Sequence, residues 1–356
     1  MDEKSTTRSE ASPYNDLSNE GQALVLSGGG ARAAYQVGCL RALARSMPDY
    51  RPQILTGVSA GAINATHLAA FQGSWQESVD ALVGLWQAMR TEKVYRTGLG
   101  QLAGRMAHWG LHLVSGGRLG REDIRGMVNN EPLRRYLREH LFVHTGTGDI
   151  PGIDRNLADG WLKALAVVTT NYASGRSEAW VDTLQEQIWS GSQVTARLAS
   201  LTLEHVMASA ALPFFFPSVK LQHQWHGDGG IRLAAPLSPA MRLGATRILA
   251  VSPRAKLKVG GSELPTSYPS LGQVAGVMLN AVFLDLLDFD ALQMQRVNDL
   301  LRRIPQQQWG RQRPVEVMVL RPREDLGKIA RQSQPQMPGG VRFFSGGFGG
   351  RDEPTA

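Results

Sequence analysis

Apolar runs that lead through small residues into helix-forming stretches are the feature that most constrains this fold. The run at residues 23–26 ends in glycines and precedes a helix-forming stretch over 31–45. A second run, residues 53–58, leads in the same way into a stretch over 60–71. Further apolar runs lie at residues 164–170, 247–251 and 315–320. Because continuous apolar strands separated by helices are typical of a buried parallel sheet, the sequence predicts an α/β three-layer sandwich, with a mainly parallel central sheet and helices on both faces.

The 356-residue chain is long enough for one large α/β domain, and its composition marks the ends of that domain. Residues 1–20 are polar and are expected to form a disordered tail, while 331–356 have the prolines and glycines of a flexible tail. Residues 21–330 between them are predicted to form the domain. Within it, residues 271–304 favour a long apolar helix.

Basic residues are concentrated in one segment, residues 90–140. The chain has a formal net charge of +7, and this segment holds ten Arg and Lys against five Asp and Glu. Such a field favours an anionic partner, either a nucleic acid or an anionic lipid surface, although a solvated helical face has the same composition. The segment is predicted to be a helical insertion that acts as a lid or as a membrane contact.

Cysteine content and the distribution of apolar residues limit the class of protein. A single cysteine, Cys39, excludes an internal disulfide and a cysteine-rich zinc site. The N-terminal residues have no apolar run typical of a signal peptide, and the longest uncharged stretches are broken by Gly, Ser, Asn or Pro. The sequence thus predicts a cytoplasmic protein without a transmembrane helix that can attach peripherally to a membrane.

Residues 27–33 (Ser-Gly-Gly-Gly-Ala-Arg-Ala) form a glycine-rich junction between the first strand and its helix. Glycines let the backbone approach a ligand closely and turn N–H groups toward an anion, and a helix N-terminus adds partial positive charge. The junction therefore suits a phosphate or the oxyanion of a tetrahedral intermediate. Gly28, Gly30 and Ala33 also fit the dinucleotide fingerprint, which requires an acid about 20 residues further on. Asp49 has that spacing, but it precedes the second strand.

Residues 57–61 (Gly-Val-Ser-Ala-Gly) form the second strand-to-helix junction and fit the nucleophile-elbow pattern around Ser59. Small residues on both sides are needed because the serine of an elbow sits in a strained turn that lifts its hydroxyl out of the sheet. The Ala-rich stretch that follows favours this interpretation over a simple turn of Gly and Ser.

A nucleophilic serine requires a base, and the eight histidines offer no clear one. An α/β-hydrolase triad needs an acid upstream of a late histidine, such as Asp182 with His205, and no surrounding motif marks that pair. Asp228 instead lies between glycines in residues 227–230, where partial burial would raise its pKa and make it a general base. An isolated Asp-Gly pair is more often only a turn.

Taken together, four segments in this order resemble the patatin-like phospholipase family, and the resemblance covers residues 22–325. They are residues 28–32 (Gly-Gly-Gly-Ala-Arg), 57–61, 208–217 (Ala-Ser-Ala-Ala-Leu-Pro-Phe-Phe-Phe-Pro) and 228–230 (Asp-Gly-Gly). In this family they correspond to the oxyanion loop, the nucleophile elbow, the block before the catalytic acid and the acid itself. One departure is the absence of an asparagine shortly before Pro236, where many relatives have one.

The resemblance implies a patatin-like fold and a catalytic dyad of Ser59 and Asp228 without a histidine. Asp228 would take the proton of Ser59 as it attacks an ester, then activate water to release the acyl-enzyme. Backbone N–H groups of the glycine loop would hold the oxyanion, and the arginine after it would contact a substrate phosphate or form a structural ion pair. These residues are Gly28, Gly29, Gly30 and Arg32. Neither a metal nor a cofactor is required.

The resulting functional prediction is a serine lipid acyl hydrolase that acts on phospholipids or lysophospholipids at a membrane surface, without a nucleic acid partner. A carboxylesterase or neutral-lipid hydrolase with the same dyad is the alternative among enzymes. A nucleotide-binding module that uses the glycine loop and a catalytically silent, basic lipid-binding protein are the alternatives of another class.

Overall fold

The fold is built on one large sheet with helices packed against it. The computed structural model describes residues 21–96, 104, 115, 126, 128–186, 188–189, 194–255, 286–310, 312–327 and 329. The strands are β1 (Gln22–Leu26), β2 (Ile54–Val58), β3 (Ala164–Asn171), β4 (Arg176–Thr183), β5 (Val194–Leu198), β6 (Val219–Leu221), β7 (Gln224–Asp228), β8 (Arg247–Val251) and β9 (Glu316–Leu320). The helices are α1 (Ala34–Ser46), α2 (Ala60–Ala70), α3 (Trp75–Ala88), α4 (Thr91–Val94), α5 (Glu131–His140), α6 (Pro151–Ala158), α7 (Leu203–Ser209), α8 (Ser238–Arg242) and α9 (Leu286–Leu301).

The strand order places β1 and β2 near the middle of the sheet. The order is β5-β4-β3-β2-β1-β8-β9. From β3 to β9 each neighbouring pair in this order is parallel, and β4 is parallel to β5 but antiparallel to β3. Strands β6 and β7 form an antiparallel hairpin, and β7 also pairs antiparallel with β3. The predicted α/β fold with a mainly parallel central sheet is confirmed.

Alternate residues of the central strands contribute to two hydrophobic cores, one on each face of the sheet. Leu24 and Leu26 of β1 belong to one core, whereas Ala23 and Val25 belong to the other. The first core is completed by α1, α2, α3, α5, α6 and α7, and the second by α8 and α9. Because side chains alternate between the two faces of a strand, a strand buried on both faces has a continuous apolar sequence. Helices on both faces make the three predicted layers.

Several predicted elements agree with the structure to within a few residues. The strand expected at 247–251 coincides with β8. The helix expected over 31–45 is divided into a 3₁₀ turn at Gly30–Ala33 and the longer α1. The C-terminal part of the helix expected over 271–304 is α9, and its first part lies outside the described residues.

Three other predicted segments fall mainly outside the described residues. They are the tails at 1–20 and 331–356 and the middle of the basic segment at 90–140, of which α4 and α5 are described near the two ends. None of the helices that the structure describes is both long enough and apolar enough to cross a membrane.

Candidate active site

Ser59 lies at the sharp turn between β2 and α2, on the edge where the parallel strands end. Its φ of 56° is in the left-handed region, which is strained for a residue other than glycine. A Cβ on Gly57 would lie 2.6 Å from the Cα of Ala62. A Cβ on Gly61 would collide with the carbonyl oxygen of Leu26. Small residues beside Ser59 are therefore a packing requirement of the contact between α2 and the ends of β1 and β2.

A second serine, Ser209 at the C-terminal end of α7, fixes the backbone of Ser59. The Ser59 N–H donates a hydrogen bond of 3.0 Å to Ser209 Oγ, and this hydroxyl donates one of 2.7 Å to the carbonyl oxygen of Val168 in β3. Ser209 is fully buried, so both bonds are shielded from water. It belongs to the block at 208–217, but nothing in that pattern indicates which backbone its hydroxyl binds.

Ser59 and Asp228 approach each other because β2 and β7 meet end to end along β3. Val58, the last residue of β2, pairs with Val168. Asp228, the last residue of β7, pairs with the next residue of β3, Thr169. Since β2 is parallel and β7 antiparallel to β3, the C-terminal ends of both strands point to the junction between these two positions. Two residues that are far apart in the sequence are thereby placed at one point of the sheet edge.

The Asp228 carboxyl is fully buried and only partly hydrogen-bonded. Its Oδ1 accepts a hydrogen bond of 2.8 Å from the Gly230 N–H. Its Oδ2 receives none of regular geometry from the described residues, although the Ser59 side chain lies close enough to lower the pKa of the carboxyl. Burial outweighs both neighbours and raises the pKa of Asp228 from 3.8 to about 7. A pKa near neutrality is the value that favours proton transfer by a general base at neutral pH.

The backbone around Asp228 is held on both sides. Its N–H donates a hydrogen bond of 2.9 Å to the Ala211 carbonyl, and its own carbonyl accepts one of 2.8 Å from the Thr170 hydroxyl. A Cβ on Gly229 would collide with the Val168 carbonyl, so glycine is required directly after the acid. Since Ala211 lies in the block at 208–217, that one block contacts the backbones of both Ser59 and Asp228.

The three glycines after β1 differ in their distance from Ser59. Gly28 is buried, and a Cβ on it would lie 3.1 Å from the Cβ of Ser59. A Cβ on Gly29 would lie 2.6 Å from Pro253 Cγ, so this glycine packs against the loop after β8. Gly30 is exposed, has a φ of 56° and has open space where a Cβ would project. Of the three, Gly28 is the one in contact with the serine.

Arg32 belongs to the glycine-rich junction, whereas Asp49 lies at the other edge of the sheet. One terminal nitrogen of Arg32 is 3.6 Å from the position that a Cβ on Gly327 would occupy, so the side chain extends toward the segment after β9. Asp49 is exposed and precedes β2, at the opposite edge of the sheet from the glycine loop. An acid at that edge does not reach a ligand bound at the loop, so the dinucleotide arrangement is not formed.

His226 precedes Asp228 by two residues, but both of its ring nitrogens are engaged elsewhere. They lie 3.2 Å from Glu178 Oε2 and 3.1 Å from the Gln224 carbonyl oxygen. Glu178 also binds the Arg197 guanidinium, at 2.8 and 3.0 Å, and the pKa of Glu178 is lowered to about 2 by its hydrogen bonds although burial opposes this.

Within the described residues, no group of three His, Cys, Asp or Glu side chains is placed to hold a metal ion.

The alternative pair of Asp182 and His205 is not formed. Asp182 Oδ2 accepts a hydrogen bond of 2.7 Å from the Leu201 N–H, and His205 Nδ1 lies 2.9 Å from the Thr202 hydroxyl. Asp182 pairs with Leu165 near the start of β3, whereas Ser59 follows Val58, which pairs with Val168 further along the strand. The carboxyl near Ser59 is therefore that of Asp228.

The sequence matches the family model of the patatin-like phospholipases over residues 24–241, which is more than half of the chain. No curated protein is similar enough in sequence to count as a relative.

Three solved structures are similar to this chain over part of their length. VipD from Legionella pneumophila is 15% identical with a TM-score of 0.39, and the match covers 85% of this chain and 61% of VipD. Human GIVD cytosolic phospholipase A2 in complex with methyl gamma-linolenyl fluorophosphonate is 15% identical with a TM-score of 0.33, covering 65% of this chain and 40% of that protein. ExoU from the type III secretion system of Pseudomonas aeruginosa, in complex with SpcU, is 22% identical with a TM-score of 0.26, covering 55% of this chain and 39% of the other. This chain thus spans less than two thirds of each.

Proposed function

Because the chain belongs to the patatin-like phospholipase family, we propose that it is a serine lipid acyl hydrolase that cleaves carboxylic esters of phospholipids or lysophospholipids. The observation that carries the proposal is the convergence of β2 and β7, which places the buried Asp228 carboxyl next to the strained turn of Ser59. A serine hydroxyl beside a carboxyl with a pKa of about 7 can supply the nucleophile and the general base that attack on an ester requires.

In the first half of the proposed reaction, Ser59 Oγ forms a bond to the ester carbonyl carbon while Asp228 takes the hydroxyl proton. The carbonyl π electrons move onto oxygen and form the tetrahedral oxyanion. When the oxyanion collapses, the bond to the leaving alcohol breaks, and Asp228 returns the proton to that oxygen. The acyl group is then an ester of Ser59, and the lysolipid or glycerol-phosphate fragment can leave.

In the second half, Asp228 accepts a proton from a water molecule as the water oxygen attacks the acyl-enzyme carbonyl. Collapse of the second oxyanion breaks the bond to Ser59 Oγ, which recovers its proton from Asp228, and releases a fatty acid. A pKa of about 7 suits both directions of proton transfer, because the carboxyl is neither a permanently charged nor a permanently neutral group at that pH.

The glycine loop is proposed to hold the oxyanion. Gly28, which contacts Ser59, is the nearest candidate donor, and Gly29 and Gly30 continue the loop toward the surface. Each N–H donor of an oxyanion hole is worth roughly 10²–10³ in rate. The position of the Arg32 side chain beside Gly327 supports a structural role over contact with a substrate phosphate.

The test of this function is product analysis on a panel of phospholipids, lysophospholipids and acylglycerols. The wild-type protein is expected to release fatty acid from the phosphate-bearing lipids, and Ser59→Ala and Asp228→Asn are expected to release none. Asp182→Asn, a buried aspartate outside the site, is the matched control and should retain activity. Release from acylglycerols alone would replace phospholipid by neutral lipid as the substrate class, and full activity in Ser59→Ala would refute the proposal.

Contact with a membrane surface is the second part of the proposal, and it rests on the excess of basic residues in 90–140. Each well-placed Lys or Arg adds about 1 kcal/mol of attraction to an anionic membrane, and salt screens this attraction. Reversing the charge of four arginines should weaken cosedimentation with anionic vesicles, most strongly at low salt. The four are Arg118, Arg121, Arg135 and Arg138.

The control for the vesicle experiment makes the same change of net charge elsewhere on the protein. Its four arginines are Arg296, Arg302, Arg303 and Arg313. Equal loss of binding in both variants would show that net charge alone matters, and unchanged binding in the first variant would remove the segment from the membrane contact.

A further inference from the structure

A chain of three hydrogen-bonded side chains lies behind the glycine loop. The Trp86 indole N–H donates to Asn64 Oδ1 over 2.7 Å, and the Asn64 amide donates to Gln36 Oε1 over 2.9 Å. The Gln36 amide then donates to the carbonyl oxygen of Ser27 over 2.7 Å and to that of Val251 over 3.2 Å. Gln36 and Asn64 are both 0% exposed, so the bond between them and the bond from Gln36 to Val251 are shielded from water.

The orientation of both amides is determined by the two ends of this chain. An indole N–H can only donate, so Asn64 must present its oxygen to Trp86. A carbonyl can only accept, so Gln36 must present its amide group to Ser27 and Val251. The remaining amide of Asn64 and the remaining oxygen of Gln36 then face each other. Rotating the Asn64 amide by 180° would break its bonds to Trp86 and Gln36, and rotating the Gln36 amide would break its bonds to Asn64, Ser27 and Val251. The donors and acceptors of these side chains therefore have one stable arrangement.

This chain connects the two parts of the proposed site from behind. Asn64 lies in α2, the helix that begins directly after Ser59. Gln36 lies in α1, and the carbonyl that it binds belongs to Ser27, the residue before Gly28. Trp86 in α3 binds from the far side and is only half-buried.

The bond from Gln36 also sets the direction of the Gly28 N–H. A peptide group is planar and trans, so the N–H of Gly28 points opposite to the carbonyl of Ser27. Because Gln36 holds that carbonyl, the N–H is directed away from α1. Gly28 is the glycine that contacts Ser59, so the orientation of this one peptide group matters for any oxyanion formed on the serine.

We propose that Gln36 and Asn64 are positioning residues of the hydrolase, which hold the Ser27–Gly28 peptide at a fixed orientation relative to Ser59. The inference rests on the proposed function and adds to it the device that aligns the oxyanion donor with the nucleophile. Neither side chain touches the substrate. Their effect is on the rate of the chemical step, because an oxyanion donor displaced by about 1 Å can cost roughly 10²-fold in rate.

The alternative is that the hydrogen-bonded side chains of Trp86, Asn64 and Gln36 only stabilise the fold. A matched control variant separates this role from the positioning role. Asn156 is another buried asparagine, which donates to the Ala69 carbonyl over 2.7 Å and to the Phe71 carbonyl over 3.0 Å and accepts from Gln72 over 2.8 Å. It binds the C-terminal end of the same helix, α2, far from the glycine loop. Asn64→Leu and Asn156→Leu therefore remove similar numbers of buried hydrogen bonds at opposite ends of one helix.

The experiment compares Gln36→Met, Asn64→Leu and Asn156→Leu by steady-state hydrolysis of a short-chain soluble ester, together with thermal unfolding. The first two variants are expected to lose roughly 10- to 100-fold in kcat with KM changed less than about threefold, since substrate binding is not involved. Asn156→Leu is expected to lower the unfolding temperature by about as much as Asn64→Leu does, and to keep kcat within about threefold of the wild type. Affinity for a trifluoromethyl ketone, which forms an oxyanion on the serine, should fall in parallel with kcat.

Trp86→Phe provides a milder variant in case the buried substitutions do not fold. It removes one N–H at the half-buried end and keeps the ring, so kcat should fall by less than in Asn64→Leu while the protein remains folded. Equal kcat in Asn64→Leu and Asn156→Leu, or wild-type kcat in a folded Gln36→Met, would overturn the positioning role. A wild-type protein that hydrolyses no ester would instead refute the proposed function itself.

Discussion

Replacing Asp228 by asparagine should make the protein more stable at alkaline pH while abolishing its activity. The carboxyl is fully buried and has a pKa of about 7 instead of 3.8, so its deprotonation costs the folded state free energy that the unfolded chain does not pay. Asparagine is nearly the same size and resembles the protonated acid. It therefore avoids this cost at every pH.

The size of this destabilisation follows from the pKa of Asp228 in the folded protein, about 7, which is about three above the value of 3.8 in the unfolded chain. At about 1.4 kcal/mol for each pKa unit, deprotonation of Asp228 costs at most about 4 kcal/mol of unfolding free energy. The cost is absent below about pH 4, where both states are protonated, grows between pH 4 and 7, and is complete above pH 7. The variant also loses about 1–3 kcal/mol of stability at every pH, which opposes its gain at high pH. The reason is that its buried amide N–H group takes the place of Oδ2, which has no regular hydrogen-bond partner among the described residues.

The assay is urea unfolding of the wild type and Asp228→Asn from pH 4 to 9. The stability of the variant minus that of the wild type should rise by up to about 4 kcal/mol between pH 4 and 8. Asp182→Asn is the control, because burial raises the pKa of Asp182 to about 6 without any contact to Ser59. It should show a smaller rise and unchanged hydrolysis. Parallel pH curves for the wild type and Asp228→Asn would refute the inference that this carboxyl is destabilised by burial.

Two further predictions concern the same site. In the wild type, kcat/KM should increase with pH around a midpoint of about 7, because Asp228 must be deprotonated to act as a base, and a profile that is flat from pH 5 to 9 would contradict this role. Ser209→Ala should cost about 1–3 kcal/mol of unfolding free energy and lower kcat, because the buried Ser59 N–H loses its acceptor. Ser177→Ala is its control, since the buried Ser177 hydroxyl has no hydrogen-bond partner in the described part of the chain, and it should leave kcat unchanged.

The sequence was informative wherever local pattern and burial agree. The apolar runs of β1, β2 and β3 are buried on both faces of the sheet, and that of β8 is buried except for the half-buried Arg247 and Leu249, so hydrophobicity alone revealed these strands. Strand β4 was missed because it buries Ser177, Glu178 and Asp182, which resemble loop residues in a sequence. Glu178 is tolerated there because Arg197 and His226, from two other strands, surround it. The side chains that make burial of Glu178 possible lie on other strands, so the sequence of β4 alone does not indicate them.

The same distinction applies to the candidate site. The elbow around Ser59 and the glycine turn after Asp228 are local patterns, because each needs glycine where a Cβ would collide with neighbouring backbone. The position of Asp228 relative to Ser59 depends on the long-range register of two strands on β3, and the roles of Ser209 and Gln36 depend on carbonyl groups of distant segments. The family resemblance predicts that Ser59 and Asp228 act together, but the strand register and the contacts of Ser209 and Gln36 are revealed only by the three-dimensional structure.

The central claim is that Ser59 is a nucleophile activated by Asp228, and covalent labelling tests it most directly. The protein is treated with a fluorophosphonate, and the modified peptide is identified by mass spectrometry over a range of pH. We expect one adduct, on Ser59, formed faster as the pH rises through about 7, retained in Asp182→Asn and formed at a much lower rate in Asp228→Asn. An adduct on another residue, or labelling of Asp228→Asn at the wild-type rate, would contradict the account.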